Sequence, residues 1–215
     1  MSAEPGSAEP EWLAWARALQ AIAQTGLAFT RDPYDTERYE MLRDLAARIA
    51  TAGTGADQPR LVELFTRETG YATPKIDVRA AAFNAAGEIL MVREVMDAGR
   101  WTLPGGWADV GVTPAENAVK EAREETGFDV RVRKVAAVWD RTRQGHQPQF
   151  FSAQKLFFLC DIVGGAAATS LETSEVAFFA EGAVPTELSL GRVLPQQISR
   201  MFAHWRDPSL PTEFD

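Results

Sequence analysis

LPGGWADVGVTPAENAVKEAREETGF, residues 103–128, is the stretch of this sequence that decides its fold. A helix within it begins and ends at well-marked residues. Thr113 is a preferred N-cap, Pro114 fits the first helical position, and Glu116 completes a capping box. Gly127 is the type of residue that closes a helix in the left-handed conformation. The sequence therefore predicts a helix between these two ends.

Two faces of this helix differ in chemistry. An apolar stripe is formed by Ala115, Ala118, Val119 and Ala122, and a neighbouring face carries Glu121, Glu124 and Glu125. Like charges at spacings of three and four residues repel by about 0.2–0.5 kcal/mol per pair, and the helix dipole disfavours anions in the last turns. Because stability alone does not favour this arrangement, and carboxylate oxygens suit Mg²⁺ or Mn²⁺, the sequence predicts a metal site here.

The loop before the helix supports this interpretation. An acidic helix face is most often plain solvated surface, and that is the alternative reading of the three glutamates. However, Gly105 and Gly106 allow backbone to approach a ligand closely, and Gly111 allows a second tight turn. A glycine-rich loop that leads into a capped helix with three acids is a much rarer combination than an acidic face alone.

The segment from Gly106 to Phe128 resembles the Nudix box. That motif is a glycine, five residues, Glu, seven residues, and then Arg-Glu-apolar-x-Glu-Glu-x-Gly-apolar. The positions that match in register are Gly106, Glu121, Ala122, Glu124, Glu125, Gly127 and Phe128.

The resemblance implies a fold, a reaction and a set of ligands. It implies an α/β/α sandwich with a mixed sheet over residues 75–215, and cleavage of the pyrophosphate bond in a small nucleoside diphosphate compound. It also implies that Glu121, Glu124 and Glu125 bind Mg²⁺ or Mn²⁺ and activate water, with the Gly105 carbonyl as a further ligand.

Two positions depart from the motif. Val112 stands where the family has its first Glu, which removes one outer support of the metal site. Lys120 stands where the family has Arg, so it keeps the charge but loses the planar fork that orients a carboxylate. We expect its ammonium to pair with Glu116 or Glu124 on the same helix.

Residues 11–70 have the periodicity of three helices. The apolar face predicted for the first helix consists of Trp12, Trp15, Leu19 and Ile22. Gly26 is the expected end of that helix.

The bounds of the other two helices, the linker after them and the tail before them are also predicted from the sequence. The second helix begins near Asp35 and is broken by residues 51–55, and the third ends at Gly70. We predict a helical domain over residues 11–70, with residues 71–74 as its linker. Residues 1–10 are polar and repeat Ser-Ala-Glu-Pro, which predicts a disordered tail.

The helical domain carries a second resemblance. Residues 11–27 and 34–39 are similar to the N-terminal domain of a Nudix subgroup of ADP-ribose and CDP-choline pyrophosphatases. That similarity makes ADP-ribose and CDP-choline the expected substrates. The helices also carry more apolar surface than a sixty-residue unit readily buries alone, which predicts a homodimer formed through them.

Beyond residue 75 the pattern changes to strands. Ile76, Val78 and Ala80 alternate with Lys75, Asp77 and Arg79, which predicts a strand with one solvent-exposed face. Further strands are predicted over residues 89–92, 130–139, 155–163 and 176–179, and a last helix over residues 195–205. Strands around one central helix, followed by a terminal helix, are typical of a mixed α/β domain.

Several residues outside the motif are candidates for the chemistry. Arg79, Arg93 and Arg141 are candidate phosphate contacts, with Arg79 preferred because its strand neighbours are apolar, although such arginines are more often plain surface charges. Trp139 is a candidate for stacking on a nucleobase, as is Phe150, against the alternative of core packing. Glu175 is an alternative to Glu121 as the general base, or else an ordinary acid at the start of a strand.

Composition narrows the possible partners. The net charge of −8 makes a long nucleic acid an unfavourable partner. No apolar stretch approaches the ~20 residues of a membrane helix, and the single cysteine, Cys160, can form no internal disulfide. A cytoplasmic location is the expectation.

Three alternatives to a small-molecule hydrolase remain open at this point. The substrate is an RNA end or oligonucleotide, or the chain is a non-catalytic nucleotide sensor on the same fold, or it is a helical dimerisation module fused to an inert domain. Retention of Glu121, Glu124 and Glu125 counts against the last two.

Overall fold

The computed structural model describes residues 9–215, so most of the predicted disordered tail, residues 1–8, lies outside the described residues. Five α-helices and seven β-strands are assigned within that range. In chain order they are α1 Glu11–Phe29, α2 Pro33–Thr54, α3 Gln58–Arg67, β1 Lys75–Phe83, β2 Ile89–Glu94, β3 Arg100–Thr102, α4 Pro114–Thr126, β4 Phe128–Asp140, β5 Ala153–Gly165, β6 Thr173–Phe179, α5 Pro195–Arg206 and β7 Glu213–Phe214.

The chain divides into two compact units. One extends to Pro74 and includes Gln147–Ser152, and the other comprises Lys75–His146 and Ala153–Asp215. The sequence assigned residues 75–215 to one uninterrupted domain. The structure instead places the short segment after His146 with the helices, because Phe150 packs edge-on against Phe65 with ring centroids 5.9 Å apart.

Small residues form the core of the helical unit. Ala16 on α1 and Ala46, Ala47 and Ala50 on α2 are fully buried, and they pack with Leu61 and Phe65 of α3. Alanine allows two helices to approach closely with little loss of helix propensity. The helix ends follow their caps, since Asp32 accepts the Tyr34 amide at 2.8 Å and Gly55 closes α2 at φ 73°.

Several sequence predictions for the helical unit are wrong. Gly26 does not end α1, because it lies within the helix where a Cβ would come within 2.3 Å of the Tyr39 ring. The glycine therefore serves close packing of α1 against α2. α3 likewise ends at Arg67, before the predicted Gly70.

The buried face of α1 also differs from the prediction. It consists of Leu13, Ala16, Gln20 and Ala23. Trp15 and Ile22, which were assigned to that face, remain 57% and 53% exposed.

The second unit is a sheet between two helices. Strand order is β3-β2-β1-β5-β4-β7, with β6 paired to β2, and β1 runs parallel to β5 while β2 runs antiparallel to β3 and β6. α5 covers one face, where Phe202 packs with Phe83 and Phe157. α4 covers the other, where Ala118 and Ala122 are fully buried. This mixed sheet between helices confirms the predicted α/β/α sandwich.

The exposed face predicted for β1 is wrong. β1 is a central strand that is buried on both faces, and Asp77 and Arg79 are only 7% and 3% exposed. By contrast, the ends of α4 are confirmed, since Thr113 and Glu116 form the capping box and Gly127 has φ 75°. The short strands β3 and β7 were not predicted. No helix in residues 9–215 is both long and apolar enough to span a membrane.

Candidate active site

The glycine-rich loop lies directly on β1. The Val78 amide donates to the Gly106 carbonyl at 2.8 Å, and the Ala80 amide donates to the Pro104 carbonyl at 2.9 Å. Gly105, between these two anchors, has φ 141°, and a Cβ there would lie 2.0 Å from the Val78 carbonyl oxygen. Only glycine fits this position, because both the conformation and the close approach exclude a side chain.

Glu125 joins α4 to this loop. Its carboxylate accepts the Gly105 amide at 2.9 Å, and its side chain is almost fully buried. Burial, and after it the charges of Glu94 and Glu121, raise the pKa of Glu125 to about 8 against the opposing effects of the Gly105 amide and Arg79. The glutamate is therefore a desolvated carboxyl group held against the loop backbone.

The other two glutamates of α4 differ from Glu125 in their surroundings. Glu121 is half-buried beside the loop, where a Cβ built on Gly106 would be 3.5 Å from its Oε2. Burial raises the pKa of Glu121 as well. Glu124 is largely exposed and lies 3.8 Å from the Lys120 ammonium. The predicted acidic face thus consists of one buried, one half-buried and one solvated carboxylate.

Lys120 supports the loop as well as the helix. Its Nζ lies 2.7 Å from an Asp109 carboxylate oxygen, a partner that was not predicted. The expected pairing with Glu116 or Glu124 is confirmed for Glu124, at 3.8 Å. Glu116 instead accepts the Thr113 amide at 2.8 Å in the capping box. Val112 is 44% exposed at the position of the missing motif glutamate.

Asn117 is a further loop contact that the sequence did not indicate. Its side chain is fully buried, accepts the Asp109 amide at 3.1 Å and donates to the Trp107 carbonyl at 3.4 Å. A polar residue beside the apolar stripe of α4 was the available signal. One amide side chain thereby fixes both ends of a three-residue turn.

Glu94 is a fourth acidic residue near the site, and the sequence did not single it out. It is only 4% exposed, and its carboxylate lies 3.1 Å from Nε of Arg192. Burial raises the pKa of Glu94, and its charge acts on Glu125. An acidic residue at the end of β2, two positions after its apolar run, was the available signal, because a buried strand end places its side chain near other buried groups.

Arg79 is buried in an ion cluster. Its Nε and one terminal nitrogen donate to the two oxygens of Asp77 at 2.9 and 2.8 Å, and the other terminal nitrogen donates to the Leu103 carbonyl at 3.2 Å. Its positive charge acts on Glu125. All three guanidinium nitrogens are thus engaged with protein groups, which counts against the predicted contact between Arg79 and a substrate phosphate. That contact is untested and stays a prediction.

Arg93 and Glu175 come together at the paired ends of β2 and β6. The Arg93 guanidinium lies 3.4 Å from the Glu175 carboxylate, donates to the Gly99 carbonyl at 2.6 Å, and is 6.0 Å from the centre of the Trp101 ring. Both side chains are partly exposed. Among the contacts of the described residues, none joins Glu175 to the three glutamates of α4.

Two other predicted substrate contacts are buried. Trp139 is 4% exposed and packs edge-on against Phe157 with ring centroids 5.2 Å apart, so its ring belongs to the core, as the alternative reading had it. Arg141 is 5% exposed, and one of its terminal nitrogens lies 3.5 Å from the Gly191 carbonyl. Phe150, the alternative stacking residue, packs within the helical unit.

The carboxylates fit a divalent cation by their chemistry. Within residues 9–215, no three acidic, histidine or cysteine side chains are already arranged as a complete ligand set. However, burial raises the pKa of both Glu121 and Glu125, and the charge of Glu94 adds to the effect on Glu125. A cation would offset this repulsion between desolvated carboxylates, and hard oxygen donors suit Mg²⁺ and Mn²⁺.

Two family models match the chain. One matches residues 73–197 and describes a NUDIX domain. The other matches residues 10–65 and describes a UDP-X-like, N-terminal oligomerisation domain. Together they account for both units of the structure.

Two relatives match nearly the whole chain, and a third matches about two thirds of it. The Bacillus subtilis (strain 168) protein YjhB, named provisionally as an ADP-ribose pyrophosphatase, is 42% identical over 96% of this chain and 98% of its own length. A crystal structure of a UDP-X diphosphatase is 34% identical over 95% of this chain and 98% of that chain, with a TM-score of 0.60. An ADP-ribose pyrophosphatase from Streptococcus suis is 36% identical over 66% of this chain and 100% of that chain, also with a TM-score of 0.60.

Proposed function

This chain belongs to the Nudix family of hydrolases, and from that premise we propose that it cleaves the pyrophosphate bond of a nucleoside diphosphate linked to a sugar or alcohol. The observation that carries the proposal is the contact between the buried Glu125 carboxylate and the Gly105 amide at 2.9 Å. This contact joins the carboxylates of α4 to the backbone of the glycine-rich loop, which is where we place the cation and the substrate pyrophosphate.

We propose ADP-ribose as the first substrate to test. YjhB covers both units of this chain and carries a name that refers to ADP-ribose. The UDP-X diphosphatase also covers both units, so UDP-linked compounds are the next class to test. CDP-choline is the third, because the helical domain resembles that of a Nudix subgroup of ADP-ribose and CDP-choline pyrophosphatases. The net charge of −8 favours these small substrates over RNA ends.

In the proposed chemistry, the glutamates of α4 bind a divalent metal, and Glu125 also positions the loop. Nudix hydrolases use a divalent metal, and Mg²⁺ or Mn²⁺, when bound, neutralises phosphate charge and lowers the pKa of water. We assign Glu121, Glu124, Glu125 and the Gly105 carbonyl to hold it. Glu125 also fixes the loop through the Gly105 amide.

Glu121 is our preferred general base. It is half-buried beside Gly106, and burial raises its pKa, which makes its carboxylate a better proton acceptor near neutral pH. Glu175 remains the alternative, with its carboxylate 3.4 Å from the Arg93 guanidinium. Arg93, which is partly exposed, is the preferred contact for a substrate phosphate.

We also propose that the chain forms a homodimer through α1. Trp15, Ile22 and Phe29 follow each other at intervals of seven residues and are 57%, 53% and 67% exposed. Residues seven apart lie on one stripe of a helix, and an exposed apolar stripe of this kind suits a second helix. The match to an N-terminal oligomerisation domain supports a second copy of this chain as the occupant. A cytoplasmic location stays a prediction.

Hydrolysis assays test the proposed function. Purified full-length chain is incubated with ADP-ribose, a UDP-linked sugar, CDP-choline or a capped RNA, each with Mg²⁺, Mn²⁺ or chelator, and released phosphomonoester is measured. We expect turnover of at least one small diphosphate compound, and its loss with chelator. Tight binding of these compounds without turnover would favour a ligand sensor, and turnover of the RNA alone would favour an RNA-end hydrolase.

A further inference from the structure

Three charged side chains form a buried cluster between β1 and β5. Lys155 is 1% exposed, and its Nζ donates to Asp77 at 2.7 Å. Asp77 also accepts two hydrogen bonds from Arg79, at 2.9 and 2.8 Å. The parallel pairing of β1 with β5 sets Asp77 opposite Lys155, so the sheet register itself brings these charges together.

A hydrogen bond from Arg79 connects this cluster to the glycine-rich loop. The second terminal nitrogen of Arg79 donates to the Leu103 carbonyl at 3.2 Å, immediately before Pro104. From there the loop is bound to β1 through the amides of Val78 and Ala80. The planar guanidinium holds a carboxylate with two nitrogens and a carbonyl with the third, which the single nitrogen of a lysine cannot reproduce.

Buried charge of this kind is costly to maintain for stability alone. Ion pairs removed from water gain little over apolar side chains of the same volume, so a buried cluster is weak evidence of a purely stabilising role. The charges of Arg79 and Lys155 hold the pKa of Asp77 at about 2, although burial acts to raise it. Asp77 therefore stays ionised at neutral pH and keeps the guanidinium oriented.

We infer that Arg79 is a positioning residue, oriented by Asp77 and Lys155, which sets the Leu103–Gly106 backbone against the carboxylates of α4. Its charge also acts on Glu125 and Glu94, so it partly offsets their mutual repulsion before any cation binds. This inference rests on the proposed function, because the loop and α4 are the proposed metal site. Arg79 then affects turnover and metal binding through the loop, without touching substrate.

Amide hydrogen exchange tests whether Arg79 holds the loop backbone in place, and it requires no metal, substrate or turnover. In the full chain, we expect Arg79→Lys to speed exchange of the Val78, Ala80 and Gly105 amides by about tenfold or more relative to α5. Ile198→Ala is the matched control. It removes buried apolar volume from α5, so it should speed exchange in α5 and leave those three amides at the parent rate.

Metal binding is the second readout. We expect Mn²⁺, titrated without substrate, to bind Arg79→Lys about tenfold more weakly than the parent, and to bind Ile198→Ala normally. With substrate, kcat should fall while KM stays within about twofold of the parent value. A direct phosphate contact would instead raise KM.

Lys155→Met is a second variant on which the same two measurements can be made if Arg79→Lys does not fold. It leaves Asp77 and Arg79 as a neutral pair and removes only the third charge. Faster exchange at Gly105, with weaker Mn²⁺ binding, would support the inference. Parent-like exchange and Mn²⁺ binding in the folded variants would overturn it. If the parent hydrolyses none of the substrates, the proposed function fails, while the exchange rates still decide this inference.

Discussion

The Gly105 amide donates to Glu125 Oε2 at 2.9 Å, so α4 and the glycine-rich loop share a hydrogen bond at the centre of the proposed site. Replacing Glu125 with Gln keeps an oxygen acceptor for this amide and removes the negative charge. We expect kcat to fall on the order of 10³-fold, because the charge assists a cation that stabilises the transition state. The fold should survive, which circular dichroism and thermal melting can verify. Parent-like hydrolysis of the identified substrate would contradict the assignment of Glu125.

The raised pKa of Glu125 predicts how stability depends on pH in metal-free protein. Its pKa is about 8 in the folded chain against an ordinary value of 4.5, so folding favours the protonated carboxyl. This contribution is fully present below the unfolded pKa and is lost as pH rises through about 8. With chelator, the melting temperature should therefore decline from pH 5 to pH 8.5.

Glu125→Gln provides the control for that pH dependence, because glutamine does not titrate. Its melting temperature should decline less over the same range. Mn²⁺ should also raise the melting temperature of the parent more at pH 8 than at pH 5, since protons compete with the cation at low pH. An identical pH dependence in parent and variant would show that another group is responsible.

Val112→Glu should restore an acid at the position where the Nudix motif has one. Val112 is 44% exposed, so a glutamate fits there without disturbing packing. We expect tighter Mn²⁺ binding by a few-fold and a corresponding gain in turnover at low metal concentration. Isothermal titration with Mn²⁺ measures the first effect, and Val112→Gln controls for side-chain size. Unchanged affinity and turnover would mean that the missing glutamate has no functional consequence.

Ile22→Glu should dissociate the proposed homodimer. It places a charge in the middle of the exposed Trp15–Ile22–Phe29 stripe, where a partner helix would have to bury it. Light scattering should give a dimer for the parent and a monomer for the variant at micromolar concentration. Leu171→Glu, which alters a 98% exposed side chain in the second unit, should stay dimeric. A monomeric parent would remove the proposal.

Gly26→Ala should destabilise the helical unit. A Cβ at this position would come within 2.3 Å of the Tyr39 ring, so either that ring moves or α1 and α2 separate. We expect a loss of about 1–3 kcal/mol in the free energy of unfolding, measured by urea denaturation. Gly182→Ala is the control because no atom lies within 4 Å of its added Cβ. Equal stabilities for the two variants would refute the packing role.

The features of this fold that could be predicted are those set by residues close together in the sequence. The caps of α4 depend on residues within a few positions of each other, so Thr113, Glu116 and Gly127 fixed its ends correctly. Glu121, Glu124 and Glu125 were assigned to the metal site on an equally local signal, the motif spacing, and that assignment stays a prediction. Their unequal burial depends on the loop that packs against them.

Non-local pairing accounts for what sequence reasoning missed. The alternation in β1 was read as one exposed face because Asp77 and Arg79 are charged. Their partner Lys155 lies 78 residues from Asp77 along the chain, and no local pattern reveals that pairing. Glu94 was missed for a similar reason, since it lies on β2, well before α4 in the chain, and its charge acts on Glu125 only in the folded structure. Gly26 was misread because the close approach of Tyr39 is a tertiary contact.

The parallel pairing of β1 with β5 also sets the order in which the enzyme can mature. β1 ends at Phe83, yet its neighbour β5 is complete only at Gly165, so a nascent chain holds β1 without that partner while some eighty further residues are synthesised. α4 has its own caps and can form early, but the glycine-rich loop lies on β1 and must wait. We therefore expect catalytic competence to be a late event in folding, because β1 and the loop that lies on it lack the neighbouring strand β5 until then.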